Sequence, residues 1–230
     1  MSRALRAWWF GAAMTLALAP NAYAQFTPPA GRFEISGGVD WLGRSSLGAR
    51  EASETTATGS ATPLFNTSTT LESAPAVTVR LGARVSRRLE AEAFLSYAKP
   101  KLSTTVTNDI ESSGSVIASE TVTQYQFGGG VLWYLSSRTW ERRWPRLQPF
   151  ADGGAAFLRQ LHESNTLAVN GQAFHVGGGV KYWLSPKAGK RLKGTGLRGD
   201  VRLLMERKGI GFDNSIRSSP SVGVSFFARF

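Results

Sequence analysis

The last ten residues, SVGVSFFARF (221–230), set Val222, Val224, Phe226, Ala228 and Phe230 on one side of an extended chain. Ser221, Gly223, Ser225, Phe227 and Arg229 fall on the other. A two-residue period is the pattern of a strand whose two faces meet unlike surroundings. Chain ends usually fray, so an end that keeps this period through its final aromatic is expected to be paired. The period recurs in seven earlier segments: 32–43, 77–85, 89–97, 123–135, 149–159, 174–184 and 197–207. Their apolar faces carry residues such as Phe33, Val79, Leu95, Trp133, Phe157, Tyr182 and Leu203. Their opposite faces carry Glu34, Asp40, Arg80, Arg84, Glu90, Glu92, Gln124, Gln126, Asp152, His175, Lys181, Arg198, Asp200, Arg202 and Glu206.

Two segments nearly repeat each other, FGGGVLWYL (127–135) and VGGGVKYWL (176–184), so a hairpin-sized unit recurs. No Gly-Lys-Ser/Thr follows either glycine triplet, and no helical pattern begins there, which argues against a phosphate loop. Glycine inside a strand marks a bend, a bulge or close backbone approach. The stretches between segments are uneven in length. The long Ser/Thr-rich ones, such as 52–70, are poor core formers and are expected to be mobile loops.

A soluble antiparallel sheet packs its apolar face on a core and wets its polar face. A transmembrane barrel inverts this, with apolar residues on lipid and polar ones in the lumen. The eight segments hold nine basic and seven acidic residues, mostly on the polar faces, so an enclosed interior could satisfy itself by pairing. A three-residue turn at 86–88 sets Arg84 opposite Glu90 as a cross-strand ion pair. The first 24 residues carry the marks of a cleaved secretory signal: Arg3 and Arg6, an apolar run over 7–19, and the small-residue site AYA at 22–24. The expected fold is all-β, an eight-stranded antiparallel up-and-down transmembrane β-barrel over residues 25–230.

The ladder, the leader and the terminal Phe, with PFADGGAAF (149–157), HVGGGVKYWL (175–184) and LRGDVR (197–202), resemble the small outer-membrane β-barrel domains of Gram-negative bacteria, the OmpA/OmpX-like group. The resemblance implies an outer-membrane monomer with a structural or surface-interaction role through its extracellular loops. It also implies that Phe230 is an assembly signal read by the barrel assembly machinery. Eight strands enclose an interior just wide enough for side chains, so a general porin is not expected.

The net charge of +11 lies mainly at one end. The turns 86–88, 136–146 and 185–195 carry +2, +3 and +4, whereas the four loops at the other end sum to −2. With both termini periplasmic, the excess sits on the periplasmic rim, where Lys and Arg can meet anionic lipid headgroups and Trp140 and Trp144 suit the interface. Outer-membrane lipids are therefore the expected partner. Nucleic acid is not, since neither a recognition helix nor an aromatic-basic sheet motif is present.

Catalytic groups are few. There is no cysteine, and the two histidines, His162 and His175, do not make a multi-histidine zinc site. No cofactor is expected. HESN (162–165) resembles the His-x-Ser-Asn motif of outer-membrane lipid A 3-O-deacylases, which makes His162 and Ser164 candidates for base and nucleophile in a lipid A-modifying hydrolase. Residues two apart on a strand share a face, as such a pair needs. Glu163 falls on the opposite face, and the next acidic residue downstream is Asp200. The motif also lies farther from the chain end than in that family. His175 is read as a lumen hydrogen-bonding residue. A third class, a carrier of small apolar molecules, needs an apolar cavity or a lateral gap.

Overall fold

The computed structural model describes residues 31–55, 61–107, 116–162, 167–185, 191–210 and 216–230. The expected leader, 1–24, lies outside them, as does Ser164. The strands in chain order are β1 (Phe33–Leu42), β2 (Ser45–Thr55), β3 (Ala61–Leu71), β4 (Ala74–Arg84), β5 (Leu89–Ala98), β6 (Lys101–Thr107), β7 (Val116–Thr121), β8 (Thr123–Tyr134), β9 (Leu147–Leu161), β10 (Ala168–Ser185), β11 (Gly194–Lys208) and β12 (Arg217–Arg229). One short helix, α1 (Arg138–Arg143), lies between β8 and β9.

Eight strands close an antiparallel barrel in the order β1-β12-β11-β10-β9-β8-β5-β4. They coincide with the eight alternating segments. Outward side chains, among them Phe33, Val39, Trp41, Val79, Leu95, Phe127, Val131, Phe157, Val201 and Val224, are exposed on the wall. Their inward neighbours Glu34, Asp40, Arg80, Glu90, Asp152, Lys181, Arg198 and Arg229 are buried. An apolar outer wall around a charged interior is the inverted arrangement that lipid demands. The ladder runs to the last residue: Phe230 N donates to Phe33 O at 2.8 Å, and Phe33 N returns a bond of 3.3 Å. Closure leaves the barrel no free edge, because every wall strand has two neighbours.

The glycine triplets mark close approach rather than bulges, since pairing runs unbroken through 176–180. A Cβ on inward Gly177 would lie 2.8 Å from Arg202 Cγ, and one on Gly179 would lie 2.8 Å from Asp200 Cβ. The missing side chains make room for the charged ones.

The Ser/Thr-rich connections depart from the expectation of mobile loops. β2, β3, β6 and β7 form a second sheet, in the order β2-β3-β6-β7, above the end of the barrel opposite the termini. Each long connection continues away from the wall as a paired ribbon, β2 with β3 and β6 with β7. The β3–β6 ladder, Asn66–Leu71 against Leu102–Thr107, joins the ribbons. β-Branched threonine suits extended backbone whether or not a face is apolar. At the start of β2 the register slips between Ser46 and Gly48, leaving Leu47 as the extra residue, and Gly48 next to it takes φ +114°, a conformation that favours glycine.

At the opposite end, α1 is capped by Ser137, whose Oγ accepts from Trp140 N at 3.2 Å. Trp140 Nε1 donates to Leu147 O at 3.1 Å, folding the basic turn back onto β9.

Candidate functional site: a sealed lumen beneath a mouth cavity

Inward side chains fill the barrel in tiers. Nearest the termini, two cations bracket two carboxylates. Lys181 Nζ donates to Glu34 Oε1 at 2.5 Å, Glu90 Oε1 at 2.9 Å and Tyr134 Oη at 2.9 Å. Arg229 Nη2 donates to Glu34 Oε2 at 2.5 Å, Glu90 Oε2 at 2.7 Å and Tyr134 Oη at 3.1 Å. Tyr134 Oη donates to Glu90 Oε2 at 2.6 Å. The Arg229 guanidinium lies 5.0 Å from the Trp183 ring centre, and Trp183 packs edge-on against Phe227 at 4.8 Å. Two near-repeats therefore meet here, β8 contributing Leu132 and Tyr134 and β10 contributing Lys181 and Trp183.

This arrangement corrects the expected Arg84–Glu90 pair. Arg84 does stand opposite Glu90 in the β4–β5 register. Glu90 is nevertheless taken by Lys181 and Arg229, which reach it through the lumen. Arg84 sits half-exposed at the rim, donates to Arg87 O at 3.4 Å and lies 5.0 Å from the Tyr134 ring centre. In so narrow a barrel the far wall is as close as the next strand, so ladder register alone does not choose partners.

The middle tier holds Asp40, Arg80, Glu92, Asp152, Arg198, Asp200 and Arg202. Arg80 Nη2 forks onto both Asp40 oxygens at 3.0 and 2.8 Å, and Thr78 Oγ1 donates to Asp40 Oδ2 at 2.6 Å. Arg198 is paired with Glu92 and with Asp200, and Arg202 Nε lies 2.7 Å from Asp152 Oδ2. His175 belongs to this tier, with Nε2 3.8 Å from Asp152 Oδ2 and its ring edge-on to Phe94 at 5.5 Å. Among the described residues no group of three His, Asp or Glu side chains is placed to hold a metal ion.

The uppermost tier is made of amides. Gln160 Nε2 donates to Gln124 Oε1 at 3.0 Å, and Gln124 Nε2 to Glu206 Oε1 at 3.3 Å. The chain leaving β11 turns inward over this tier at Lys208 and Gly209, whose φ values are +62° and +93°. Ile210 N donates to Gln160 Oε1 at 2.8 Å, and Arg217 Nη2 to Lys208 O at 2.8 Å, which pins the turn across the mouth.

Above that turn lies a cavity of about 340 Å³, lined by Leu47, Thr69, Leu102, Thr104, His162, Val169, Gly209 and Ile210. The second sheet supplies one wall, and the tops of β9, β10 and β11 the other. His162 Nδ1 lies 2.9 Å from Glu120 Oε1. The carboxylate beside His162 thus comes from β7, 42 residues upstream. No local spacing could have revealed it, since the contact exists only because the β6–β7 ribbon folds back over the mouth.

No family model matches the chain, and no curated protein matches it. Among solved structures, Neisserial surface protein A shares 11% identity over 86% of this chain and 97% of its own, with a TM-score of 0.52. Ail of Yersinia pestis, in complex with the heparin analogue sucrose octasulfate, shares 10% identity over 86% and 98%, with a TM-score of 0.41. The N-terminal β-barrel domain of Pseudomonas aeruginosa OprF shares 12% over 86% and 98%, with a TM-score of 0.36. The fold is that of the small outer-membrane β-barrels, and the apolar wall is the lipid-facing surface which that location requires.

Proposed function

We propose that this eight-stranded outer-membrane barrel is a closed scaffold that presents its second sheet at the cell surface for interaction, and is not a general porin. The observation that carries this reading is the contrast between a lumen closed by ion pairs and a four-stranded sheet built outside the membrane wall. Among the described residues β2 and β7 end that sheet, each with one edge that no other strand pairs. Short periplasmic turns and long extracellular connections are the usual orientation of such barrels. In that orientation the exposed Arg87, Arg88, Arg142, Arg143 and Trp140 form a periplasmic rim suited to anionic phospholipid. The protein acts as a monomer, and Phe230 serves its delivery by the barrel assembly machinery.

The test trims the second sheet across paired positions, joining Ala49 to Ser68 and Thr104 to Ala118 by short turns. The trimmed barrel is expected to reach the outer membrane while cells lose whatever self-aggregation or surface adhesion the full protein confers. Trimmed cells that adhere as full-length cells do would overturn the reading, as would porin-type conductance steps from the purified protein.

A second reading, a lipid A-modifying hydrolase, is favoured by Glu120 at His162, which gives the imidazole an orienting acid. Mass spectrometry of lipid A from cells carrying wild type or His162→Ala decides it. Identical lipid A in both would remove it.

A further inference from the structure

We propose that the mouth cavity is a binding site for a small apolar molecule bearing one hydroxyl group, held with its body among aliphatic side chains and its hydroxyl at His162. At about 340 Å³ the cavity is within the range of roughly 300–1,000 Å³ typical of small-molecule sites. Leu47, Leu102, Val169 and Ile210 supply an aliphatic lining without a charged group, so the body of the ligand is uncharged.

The polar groups of the lining select one further feature. His162 Nδ1 lies 2.9 Å from the Glu120 carboxylate, an acceptor, so Nδ1 is the protonated nitrogen of the neutral ring, and in that tautomer Nε2 is an acceptor. Thr69 Oγ1 and Thr104 Oγ1 lie 3.0 Å apart and share one hydrogen bond, which leaves one hydroxyl proton to donate elsewhere. The cavity thus offers one acceptor and one donor. A single hydroxyl satisfies both, donating to Nε2 and accepting from threonine. A hydrocarbon of the same shape would leave both unpaired, and burying a polar group without a partner is costly.

The site is a terminus and not a stage in passage. Gln160, Gln124, Glu206 and the pinned turn at 208–210 close it below, and the ion-pair tiers lie beneath them. This inference stands apart from the surface role, because it needs only the inner face of the second sheet and neither free edge.

The experiment uses the full barrel in lipid nanodiscs with labelled methyl groups, titrated with 4-tert-butylcyclohexanol and, separately, with tert-butylcyclohexane. The alcohol is expected to shift the methyls of Leu47, Leu102, Val169 and Ile210 saturably, and to bind at least tenfold tighter than the hydrocarbon. Val224 and Leu95 on the outer wall report partition into the bilayer and should not saturate. His162→Leu should abolish the preference for the alcohol, leaving the two ligands within twofold of each other. Val169→Phe should fill the cavity and remove saturable binding of both, with the barrel still heat-modifiable on a gel. Shifts shared equally with the outer wall, an alcohol preference that survives His162→Leu, or saturable binding that survives Val169→Phe would each overturn the proposal. Should His162→Leu fail to fold, the wild-type ligand comparison and Val169→Phe still decide it.

Discussion

The barrel and the sheet above it are made of the same element under different solvents. In β5 exposed and buried residues alternate without exception from Leu89 to Ala98, while most of β6 is half-buried on both faces. A wall strand separates lipid from a packed lumen, so a shift of one residue would put charges into lipid. A strand in water pays no such penalty for either face, and its place is set by backbone pairing. The register differs at the first ribbon. The β4–β5 and β5–β8 ladders run without a break, whereas β2 against β3 slips twice, at Ser46/Gly48 and at Ala52/Ser53. Lipid enforces the alternation, whereas register holds without it in β3–β6 and β6–β7, and the wall itself slips between Trp183 and Ser185 at the end of β10.

If that contrast is right, substitutions in the barrel should be expensive and those in the upper sheet cheap. The largest effect is expected in the lower tier. Glu90→Gln leaves Lys181 and Arg229 short of a carboxylate and should cost about 3–5 kcal/mol, the range for breaking a buried pair. Arg84→Ala should cost about 1 kcal/mol or less, as an exposed rim contact would. Urea unfolding of detergent-refolded protein measures both. Equal costs would restore the cross-strand pair and undo the lumen assignment.

The final strand provides the next contrast. Phe227 is buried against Trp183, and Phe227→Ser should cost about 3–5 kcal/mol in vitro, as large-to-small core changes do. Phe230 is 46% exposed, so Phe230→Ser should lose only part of the roughly 1.5–3 kcal/mol that full burial of such a side chain contributes. In cells the order should reverse if Phe230 is the assembly signal: Phe230→Ser would accumulate less in the outer membrane than Phe227→Ser. Fractionation at matched expression measures it, and equal accumulation would leave the terminal Phe without that role.

A charge on the wall sharpens the solvent argument. Val224→Arg, near the middle of β12, should cost about 2–4 kcal/mol in a bilayer. Ser68→Arg, exposed on β3, should change stability by about 0.5 kcal/mol or less. The smallest global effect is expected from Gly48→Ala. Left-handed backbone costs a side-chain-bearing residue roughly 1–2 kcal/mol, and that strain should appear only in hydrogen exchange of β2 and β3. A shift of the whole unfolding transition would mean that the upper sheet and the barrel are one cooperative unit.

The wall strands were legible because each carries its own instruction. Leu89 to Tyr97 alternates within nine residues, and so does Val222 to Phe230. Nothing comparable marks β3 or β6, where Ser and Thr occupy both faces, so threonine-rich strand and threonine-rich loop look alike. The candidate site was legible in one residue. His162 was singled out for the string it begins, but Glu120, Leu47, Thr69, Thr104 and Ile210 come from other elements and share no motif with it.

The sequence by itself determined which residues face lipid and which face inward, and hence a closed eight-stranded wall, because a bilayer penalises every misplaced charge locally and strand by strand. It also determined that the lumen could neutralise most of its own charge. Which carboxylate meets which cation was decided by the tertiary structure, since across a narrow lumen the partner of Glu90 is selected by reach from β10 and β12 and not by position on the ladder. The second sheet and the cavity beneath it were decided there too. Their contacts join residues as distant as Glu120 and His162, and only the folding of two long connections over a finished barrel brings such groups together.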